Sequence, residues 1–566
     1  MKKKFWYIFF AIIILIFALI IRLDNLDKIS GFWYDESTIY SIGSKKILWG
    51  MLQEDAHRFL LFPLYFLAYK IWIIFFGYSD LTIRLMSVFF DMASLICTYF
   101  VGVQFALAIN KNEQKYRIGI FSILLYGINS SFIYYAQEAK FYAMTFFLVN
   151  LLILFWLKFL QNPNKKNTIT FLICNALLLY TYTSQILLVF SIQLATFLYW
   201  GIKKENFKNH VNYFVGSLII LMPLLLIILT NKNYFSGNFD AVFSDNSFIF
   251  LVIQNWFSPI LTGLQNNVFN YHFVMLSNIL NLRWILYVFL PIIFYFILIT
   301  KGSKKELLPK LFLVVVAVYL LLHITISNLT PYSVLVRYVL PALPFIIPVA
   351  ANGLDRFCNK KFNYFLLMLF IITNLYILNC PIGATKIQRP DGYKSLANVL
   401  IENRINPNQN FILPIRVSLL DKYYNITGEK VSLYMLNSEE YQKTYLTQDE
   451  LNEIKNKRNL FKNYKRFLLY SEVPQGLEQL IKSDFIDKIK SGGNLVLIRD
   501  LGICIFNDKQ IKDIVSHDEF YKRNSIQFLR LSKLNNILIT VLSKYLKLDK
   551  VININNWEVY IFSKGS

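Results

Sequence analysis

The sequence predicts a multi-pass α-helical membrane protein with about eleven spans, followed by an α/β domain outside the membrane. Of its 566 residues, 55% are hydrophobic and only 16% are charged, whereas soluble proteins carry about a quarter charged residues. The apolar residues come in blocks of about 17 to 25, the length that crosses a bilayer as a helix. These blocks end at residue 380, and shorter strand-like and helix-like patterns follow.

The first apolar block, residues 5–21, follows three lysines and ends at Arg22 without a small-x-small cleavage site. It predicts an uncleaved signal anchor with a cytoplasmic N-terminus. The formal net charge of +23 does not indicate a nucleic-acid partner. Lysine and arginine concentrate in short loops between apolar blocks, as the positive-inside rule describes. We therefore expect a protein of the bacterial inner membrane and no nucleic-acid binding.

Alternation of the loop charges sets the expected topology. The further candidate spans are residues 82–108, 117–133, 141–160, 167–183, 185–202, 211–230, 283–300, 308–328, 334–352 and 362–380. Every second loop between them is basic, which places those loops in the cytoplasm. The block 59–77 is long enough to span, but spanning would invert every later loop. It is therefore predicted to be an interfacial or re-entrant helix within a first external loop, residues 23–81. The C-terminus is then external.

Residues 381–566 contain no spanning block and are predicted to form a separate domain beside a membrane domain of residues 1–380. The runs FILPIRVSLL, NLVLIRDLG, ICIF and WEVYIFSK are rich in β-branched and aromatic residues, which favours strands. The segments YKSLANVLIEN and QGLEQLIKS have helical periodicity. This pattern is typical of a soluble α/β domain, here expected outside the membrane.

Charged residues from distant segments gather at the predicted outer face. Asp35 and Glu36, in FWYDESTIYSI, lie in the first external loop, and Glu138 and Lys140 lie at the next external turn. Arg337 is near the external end of a late span. Charges near a bilayer are costly and are functional hypotheses by default. The alternatives are a solvated loop, a helix-start charge with an interface anchor, and an arginine that snorkels to the headgroups.

Other polar residues are weaker candidates. His57 and Arg58 flank the interfacial block, where they could bind phosphate. Asp91 lies mid-span, two helical turns after Arg84 on the same face, which predicts an internal ion pair. His323 is expected to be a satisfied histidine inside the bundle.

Four motifs, in a fixed order, resemble the GT-C superfamily of membrane glycosyltransferases. Within it they resemble the family 39-like branch of protein O-mannosyltransferases and lipid A aminoarabinose transferases. The motifs are RLDN…WYDES, FPLYFLAYKIWIIFFGYSDLTIRL, YYAQEAKFYAM and RYVLPALP, within residues 1–350. Each is weak alone, and their order on a matching topology is more specific. The resemblance implies transfer of a sugar from a polyprenyl-phosphate donor on the outer side of the membrane.

The resemblance also implies roles for individual residues. The first-loop acid, Asp35, corresponds to the proposed catalytic base, and Glu138 to a second acid. Arg337 and Lys140, with Arg58 or His57, would bind the donor phosphate, and Glu36, Tyr142 and Tyr338 would support them. Two positions depart from the family pattern. Lys140 replaces an arginine, which loses bidentate phosphate geometry, and Phe62-Pro63 replaces a double proline, with Leu61 where some members carry a basic residue.

The chemistry points the same way. A polyprenyl phosphate is a good leaving group that needs cations, and an acceptor hydroxyl needs a carboxylate to take its proton. The expected reaction is therefore transfer with inversion to a lipid, glycan or protein acceptor, with no cofactor. A divalent cation held by Asp35 with Glu36 or Glu138 is the alternative. Two other functions remain open: a glycan ligase or polymerase of related architecture, and a lipid-linked glycan flippase.

Overall fold

A computed structural model describes most of the apolar part of the chain and parts of the remainder. The described residues are 2–24, 62–203, 207–230, 290–304, 306–329, 336–358, 393–405, 410–414, 475–487, 493–500, 526–554 and 557–564, with 26, 36, 39, 40, 43, 364, 367, 368, 371, 372, 489, 507, 509 and 511. The chain divides into two compact units: Met1–Lys28, Ile42–Asp240 and Ile249–Arg389; and Ile29–Ser41, Ala241–Phe248 and Pro390–Ser566. The predicted boundary after residue 380 lies outside the described residues and stays a prediction.

The first unit is helical throughout its described part. Its α-helices are α1 (Lys2–Leu23), α2 (Pro63–Phe76), α3 (Asp80–Ala108), α4 (Lys115–Gly127), α5 (Ser130–Ala136), α6 (Tyr142–Gln161), α7 (Lys165–Thr181), α8 (Ile186–Lys203), α9 (Phe207–Thr230), α10 (Leu290–Ser303), α11 (Leu307–Leu329), α12 (Val336–Val339) and α13 (Leu343–Phe357). Short 3₁₀ turns, Thr183–Gln185 and Leu340–Ala342, precede α8 and α13.

Membrane character is clear from the lengths of these helices. Among the described residues, five are long and apolar enough to cross a bilayer: Phe5–Leu23, Asp80–Ala108, Tyr142–Gln161, Thr183–Lys203 and Leu307–Ile326. Helix α2 has 14 residues, or about 21 Å at 1.5 Å per residue, which is shorter than a hydrocarbon core of about 30 Å. The interfacial placement of α2 and the total of about eleven spans stay predictions.

Two predicted spans are broken where the sequence offers a cap or a proline. The predicted helix 117–133 stops at Gly127, because Asn129 caps a new helix with its side-chain oxygen, 3.0 Å from the Ser131 backbone nitrogen. The predicted helix 334–352 changes to a 3₁₀ turn at Leu340–Ala342. Pro341 and Pro344 have no N–H to continue an α-helical ladder there.

The predicted cytoplasmic loops near Lys111, Lys301 and Arg356 meet at one end of the helical unit, called here the basic end. The Lys111 amine donates to Asn352 Oδ1 at 2.8 Å and lies 3.7 Å from the Asp355 carboxylate, which also pairs with Arg117. Near the N-terminus, the ring of Tyr7 lies 6.2 Å from that of Tyr116. Partial burial lowers the pKa of the Lys111 amine, with the Arg356 charge adding to it, and Asp355 opposes both effects.

Two of the helices at the basic end pack backbone against backbone. A Cβ on Gly353 of α13 would lie 1.8 Å from the carbonyl oxygen of Leu298, and one on Gly302 of α10 would lie 2.0 Å from that of Val349. Such distances are impossible for real atoms, so only glycine permits this approach. The contact allows the Asn352 amide to donate to the Gly302 carbonyl at 2.8 Å.

The second unit contains a four-stranded sheet in the order β1-β2-β4-β3. Its strands are β1 (Phe411–Pro414), β2 (Asn494–Asp500), β3 (Lys547–Ile554) and β4 (Trp557–Ser563), and its longer helices are α14 (Tyr393–Glu402), α15 (Gln475–Ile481) and α16 (Ile526–Tyr545). β1 and β2 are parallel, and the other pairs are antiparallel. Strands appear within three of the predicted runs, whereas ICIF lies outside the described residues. The sequence analysis missed α16 and β3.

Candidate functional site

The candidate site is built around a buried turn that carries an acid and an amine. Residues 137–141 connect the short helix α5 to α6, and every side chain from Ala136 to Tyr142 is buried. Glu138 is 2% exposed and Lys140 is 7% exposed. A buried charge costs free energy unless it is paired or has a functional use. The turn therefore places two ionisable side chains within three residues in a buried setting, which makes it a candidate functional site.

Helix α3 fixes the backbone of this turn. The Ser87 hydroxyl donates to the Glu138 carbonyl oxygen and lies 3.4 Å from that of Lys140. Within the turn, the Lys140 backbone nitrogen donates to the Glu138 carbonyl at 2.8 Å. The Lys140 amine lies 5.6 Å from the centre of the Tyr142 ring, within the range of a cation–π contact. Chemically, the carboxyl group can accept a proton and the ammonium group can neutralise an anion, both in a setting of low dielectric constant.

A chain of aromatic rings joins this turn to two other sequence motifs. Phe62, from the FPLY motif, stacks on Phe141 with ring centres 4.0 Å apart. Phe141 also packs 4.6 Å from Tyr182, and Tyr182 lies 6.5 Å from Tyr338 of the RYVLP motif. Three motifs that are far apart in sequence thus share one end of the helical unit, opposite the basic end.

The RLDN motif reaches the same turn through Gln137. The Gln137 amide donates to the backbone carbonyl of Arg22 at 2.8 Å and to that of Asp24 at 3.3 Å. Helix α1 therefore begins at the basic end, near Tyr116, and finishes beside the candidate site. Contacts within the described residues bring together RLDN, FPLY, YYAQEAKFYAM and RYVLP.

The expected partner of Asp91 was wrong. The sequence suggested Arg84, but Asp91 pairs with Arg22 from α1, and both side chains are fully buried. Tyr126 adds a hydrogen bond of 2.8 Å to the same carboxylate. The Arg22 guanidinium also donates to the Gly127 carbonyl at 3.2 Å. This pair fixes the end of α1 against α3 and α4. The backbone carbonyl of the same Arg22 accepts the hydrogen bond from Gln137.

Neither Arg22 nor Ser87 was predicted from the sequence to have a role. A signal for Arg22 was present, because an arginine at the end of one apolar block and an aspartate inside another are opposite charges that need partners. No such signal marked Ser87, since a serine inside a helix is unremarkable until its neighbour is known. Arg84 itself is 1% exposed.

Several predicted site residues lie outside the described residues: Asp35, His57 and Arg58. Glu36 is described and fully buried. The backbone of Arg337 belongs to α12, and its side chain is not described. The carbonyl oxygen of Tyr338 accepts a hydrogen bond of 2.7 Å from Tyr319. The structure thus brings Glu138, Lys140, Tyr142 and Tyr338 to one end, and the roles of all these residues stay predictions.

In the described part of the chain, no group of three His, Cys, Asp or Glu residues is placed to hold a metal ion. The cation considered for Asp35 with Glu36 or Glu138 stays an open alternative, because Asp35 is not described. His323 is buried, with its ring 4.6 Å from that of Tyr319, and its expected role as a satisfied histidine of the bundle stays a prediction.

Comparison with solved structures finds similarity over nearly the whole chain. Two crystal structures of ArnT from Cupriavidus metallidurans match at 13% sequence identity. The apo structure has a TM-score of 0.49, with 99% of this chain and 98% of that chain covered. The structure bound to undecaprenyl phosphate has a TM-score of 0.47, with 97% of each chain covered. ArnT is a lipid A aminoarabinose transferase with the GT-C fold.

No known protein-family profile matches the chain. No curated protein matches it in sequence.

Proposed function

We propose that this protein is a membrane glycosyltransferase that moves a sugar from a polyprenyl-phosphate donor to an acceptor hydroxyl. The observation that carries the proposal is the buried turn with Glu138 and Lys140, at the junction of four motifs. This turn places an acid and an amine within three residues of each other and away from water. A reaction that moves a proton and releases a phosphate needs both.

The cations would serve the leaving group. When the bond between the sugar and the phosphate breaks, negative charge develops on the lipid phosphate, and Lys140 can neutralise it inside the protein. Arg337 is the second proposed cation, one residue before Tyr338, whose ring packs near the site. Undecaprenyl phosphate, which one ArnT structure contains, is a lipid of the proposed class. Its tail would keep the reactive phosphate at the membrane surface.

The carboxylates would serve the acceptor. In a single displacement, the acceptor oxygen attacks the anomeric carbon, its proton passes to a carboxylate, and the bond to phosphate oxygen breaks, so the anomeric configuration inverts. We propose Asp35 as this base. Glu138 would position Lys140 or the acceptor, with Tyr142 beside it. The reaction would take place on the outer face of the bacterial inner membrane, with a lipid, glycan or protein as acceptor.

A pair of lysine variants on one helix tests the phosphate role. Lys140 precedes α6 and Lys158 lies in its last turns, where its amine is 4.8 Å from the Phe155 ring. Both amines therefore contact an aromatic ring, but at opposite ends. Lys140→Met should weaken binding of undecaprenyl phosphate to protein in nanodiscs about 10- to 100-fold, the worth of one charged hydrogen bond. Lys158→Met should leave it unchanged. Equal binding by wild type and Lys140→Met would contradict the assignment.

Variants of the acids test the chemistry. Asp35→Asn keeps size but cannot take a proton, so sugar transfer in liposomes should fall by about 100- to 10,000-fold while donor binding persists. Mass spectrometry of surface glycolipids and glycoproteins, with and without the protein, would supply the sugar and acceptor. A folded Asp35→Asn protein with wild-type transfer would refute the base. Transfer of a whole glycan would instead indicate the ligase alternative.

A further inference from the structure

The turn between α7 and α8 holds an unusual set of buried polar atoms. It reads TYTSQ, residues 181–185, and the side chains of Thr181 and Gln185 are fully buried. Within the described part of the chain, three polar atoms of this turn are buried without any hydrogen-bond partner: Thr181 Oγ1, Ser184 Oγ and Gln185 Nε2. Buried polar groups in native proteins are nearly always satisfied, so such a group calls for an explanation.

Exchanging the positions of the oxygen and nitrogen of the Gln185 side-chain amide does not give both atoms a partner among the described residues. Its oxygen lies 3.2 Å from the Tyr319 hydroxyl, which also lies 2.7 Å from the Tyr338 carbonyl oxygen. A hydroxyl has one proton, so it donates to one of these oxygens at a time. Turning the amide over would bring its nitrogen to Tyr319 and leave its oxygen alone. In either orientation one polar atom of Gln185 has no partner among the residues that the structure describes.

Three other buried threonines of the bundle satisfy their hydroxyls, so Thr181 differs from residues of its own type. The hydroxyls of Thr98, Thr145 and Thr196 each donate to the carbonyl one helical turn earlier, at 2.9, 2.9 and 2.7 Å. Thr181 ends α7 and could do the same, but it does not. Its hydroxyl is therefore available for a group that is not part of the described chain.

The turn adjoins the proposed reaction site. Tyr182, inside the turn, packs its ring 4.6 Å from that of Phe141, the residue after Lys140. The same ring lies 6.5 Å from Tyr338. In a glycosyl phosphate the sugar is bonded directly to the phosphate, so a phosphate at Lys140 places the sugar within a few ångströms of this region. Hydroxyl and amide groups are also the side chains that match sugar hydroxyls, since each can donate or accept.

We propose that residues 181–185 form the subsite for the sugar of the donor, with Thr181, Ser184 and Gln185 hydrogen-bonded to its hydroxyl groups. The proposal rests on the proposed function and adds the residues that select the sugar. A site built to hydrogen-bond a substrate hydroxyl discriminates strongly against an analogue that lacks it, because its own polar groups are then left unpaired. The turn would accordingly discriminate between sugars by hydrogen bonding, while Lys140 binds the phosphate.

Binding in nanodiscs tests the subsite. The probes are bare undecaprenyl phosphate and undecaprenyl phosphate carrying glucose, mannose, galactose or arabinose. Wild type should bind at least one sugar-bearing probe about 10- to 100-fold more tightly than the bare lipid, the range for one or two hydrogen bonds. Thr181→Val and Gln185→Leu should lose this increment and still bind the bare lipid as wild type does.

Thr196→Val is the matched control, because Thr196 is a buried threonine on α8 that also accepts a hydrogen bond of 2.8 Å from Trp156. It should lower the unfolding temperature and keep the sugar increment. Thr181→Val removes a hydroxyl that has no partner in the described part of the chain, so its unfolding temperature should be equal or higher. This contrast separates a ligand-binding role from a structural one.

The outcomes separate the two proposals. The subsite is refuted if wild type binds all the sugar-bearing probes no more tightly than the bare lipid, or if Thr181→Val and Gln185→Leu keep the increment. If wild type binds neither the bare lipid nor any sugar-bearing probe, the proposed function itself fails. If the increment disappears from both variants at unchanged stability, the subsite is supported.

Discussion

The buried pair of Arg22 and Asp91 gives the sharpest prediction for the scaffold beneath the site. Both side chains are fully buried, and Asp91 also accepts from Tyr126 at 2.8 Å. Asp91→Leu would leave the guanidinium buried without a counter-charge, and Arg22→Leu would leave the carboxylate. The double variant removes both charges together. These three proteins form a double-mutant cycle that measures how far the two residues depend on each other.

The expected magnitudes follow from burial. Two unit charges about 4 Å apart attract by about 4 kcal/mol at an effective dielectric constant of 20. Breaking a buried pair from one side typically costs about 3 to 5 kcal/mol of unfolding free energy, whereas replacing both partners by apolar residues is often near neutral. Because Tyr126 and the Gly127 carbonyl also lose a partner, we expect about 1 to 3 kcal/mol for the double variant. The coupling energy should then be about 3 kcal/mol or more.

The assay is unfolding by SDS titration of the protein in mixed micelles, with the free energy taken from the transition. The ion pair of Arg356 and Glu306 provides the control, because its side chains are 23% and 26% exposed. Single substitutions there should cost about 1 to 2 kcal/mol, because Arg356 donates to both oxygens of Glu306 in a partly exposed setting. Additive effects of Arg22→Leu and Asp91→Leu, or single losses as small as those of the control, would refute the assigned pairing.

Three further predictions concern other parts of the molecule. Gly353→Ala should destabilise the protein by about 1 to 3 kcal/mol or more, because its Cβ would lie 1.8 Å from the Leu298 carbonyl oxygen. Gly201→Ala is the control, because a Cβ there meets open space. A Gly353→Ala protein as stable as wild type would contradict this packing. Hydrogen bonds, first from Lys544, lower the pKa of Glu478; its carboxylate should therefore stabilise the fold above its unfolded pKa and lose that effect as pH falls through its folded pKa. Unfolding midpoints of wild type and Glu478→Gln should then converge in acid, and a constant difference would argue against it. A reporter fused to the C-terminus should be active only outside the cytoplasm, and cytoplasmic activity would overturn the topology.

Local sequence signals account for most of the helices but not for their interruptions. Ser79 begins α3 as a cap, with its hydroxyl 3.0 Å from the backbone nitrogen of Thr82, close to the predicted start at residue 82. Asn129 offered the same kind of signal inside an apolar run, and hydropathy alone extended the helix through it. A cap inside a hydrophobic block competes with the continuing helix, and the outcome depends on what the two pieces pack against.

The sequence alone predicted the motifs of the candidate site but not the side-chain contacts between them. It singled out Glu138 and Lys140, which the structure places together in a buried turn. It missed the partner of Asp91, because α1 and α3 are separated by about 60 residues and nothing local indicates which faces meet. It also gave no hint of Thr181, whose importance lies in a hydrogen bond that it does not make within the described chain.

The sequence by itself determined that this is a multi-helix membrane protein, and it predicted which loops share a face. A bilayer requires long apolar helices and biases the charges of their loops. Both effects appear as local patterns in the amino-acid sequence. The tertiary structure decided which side chains meet: Arg22 with Asp91, Phe62 with Phe141, and Tyr182 with Tyr338. These contacts depend on the rotation and close approach of helices, which are set by packing over the whole bundle. Hydropathy, shared by every apolar residue of a span, cannot specify them.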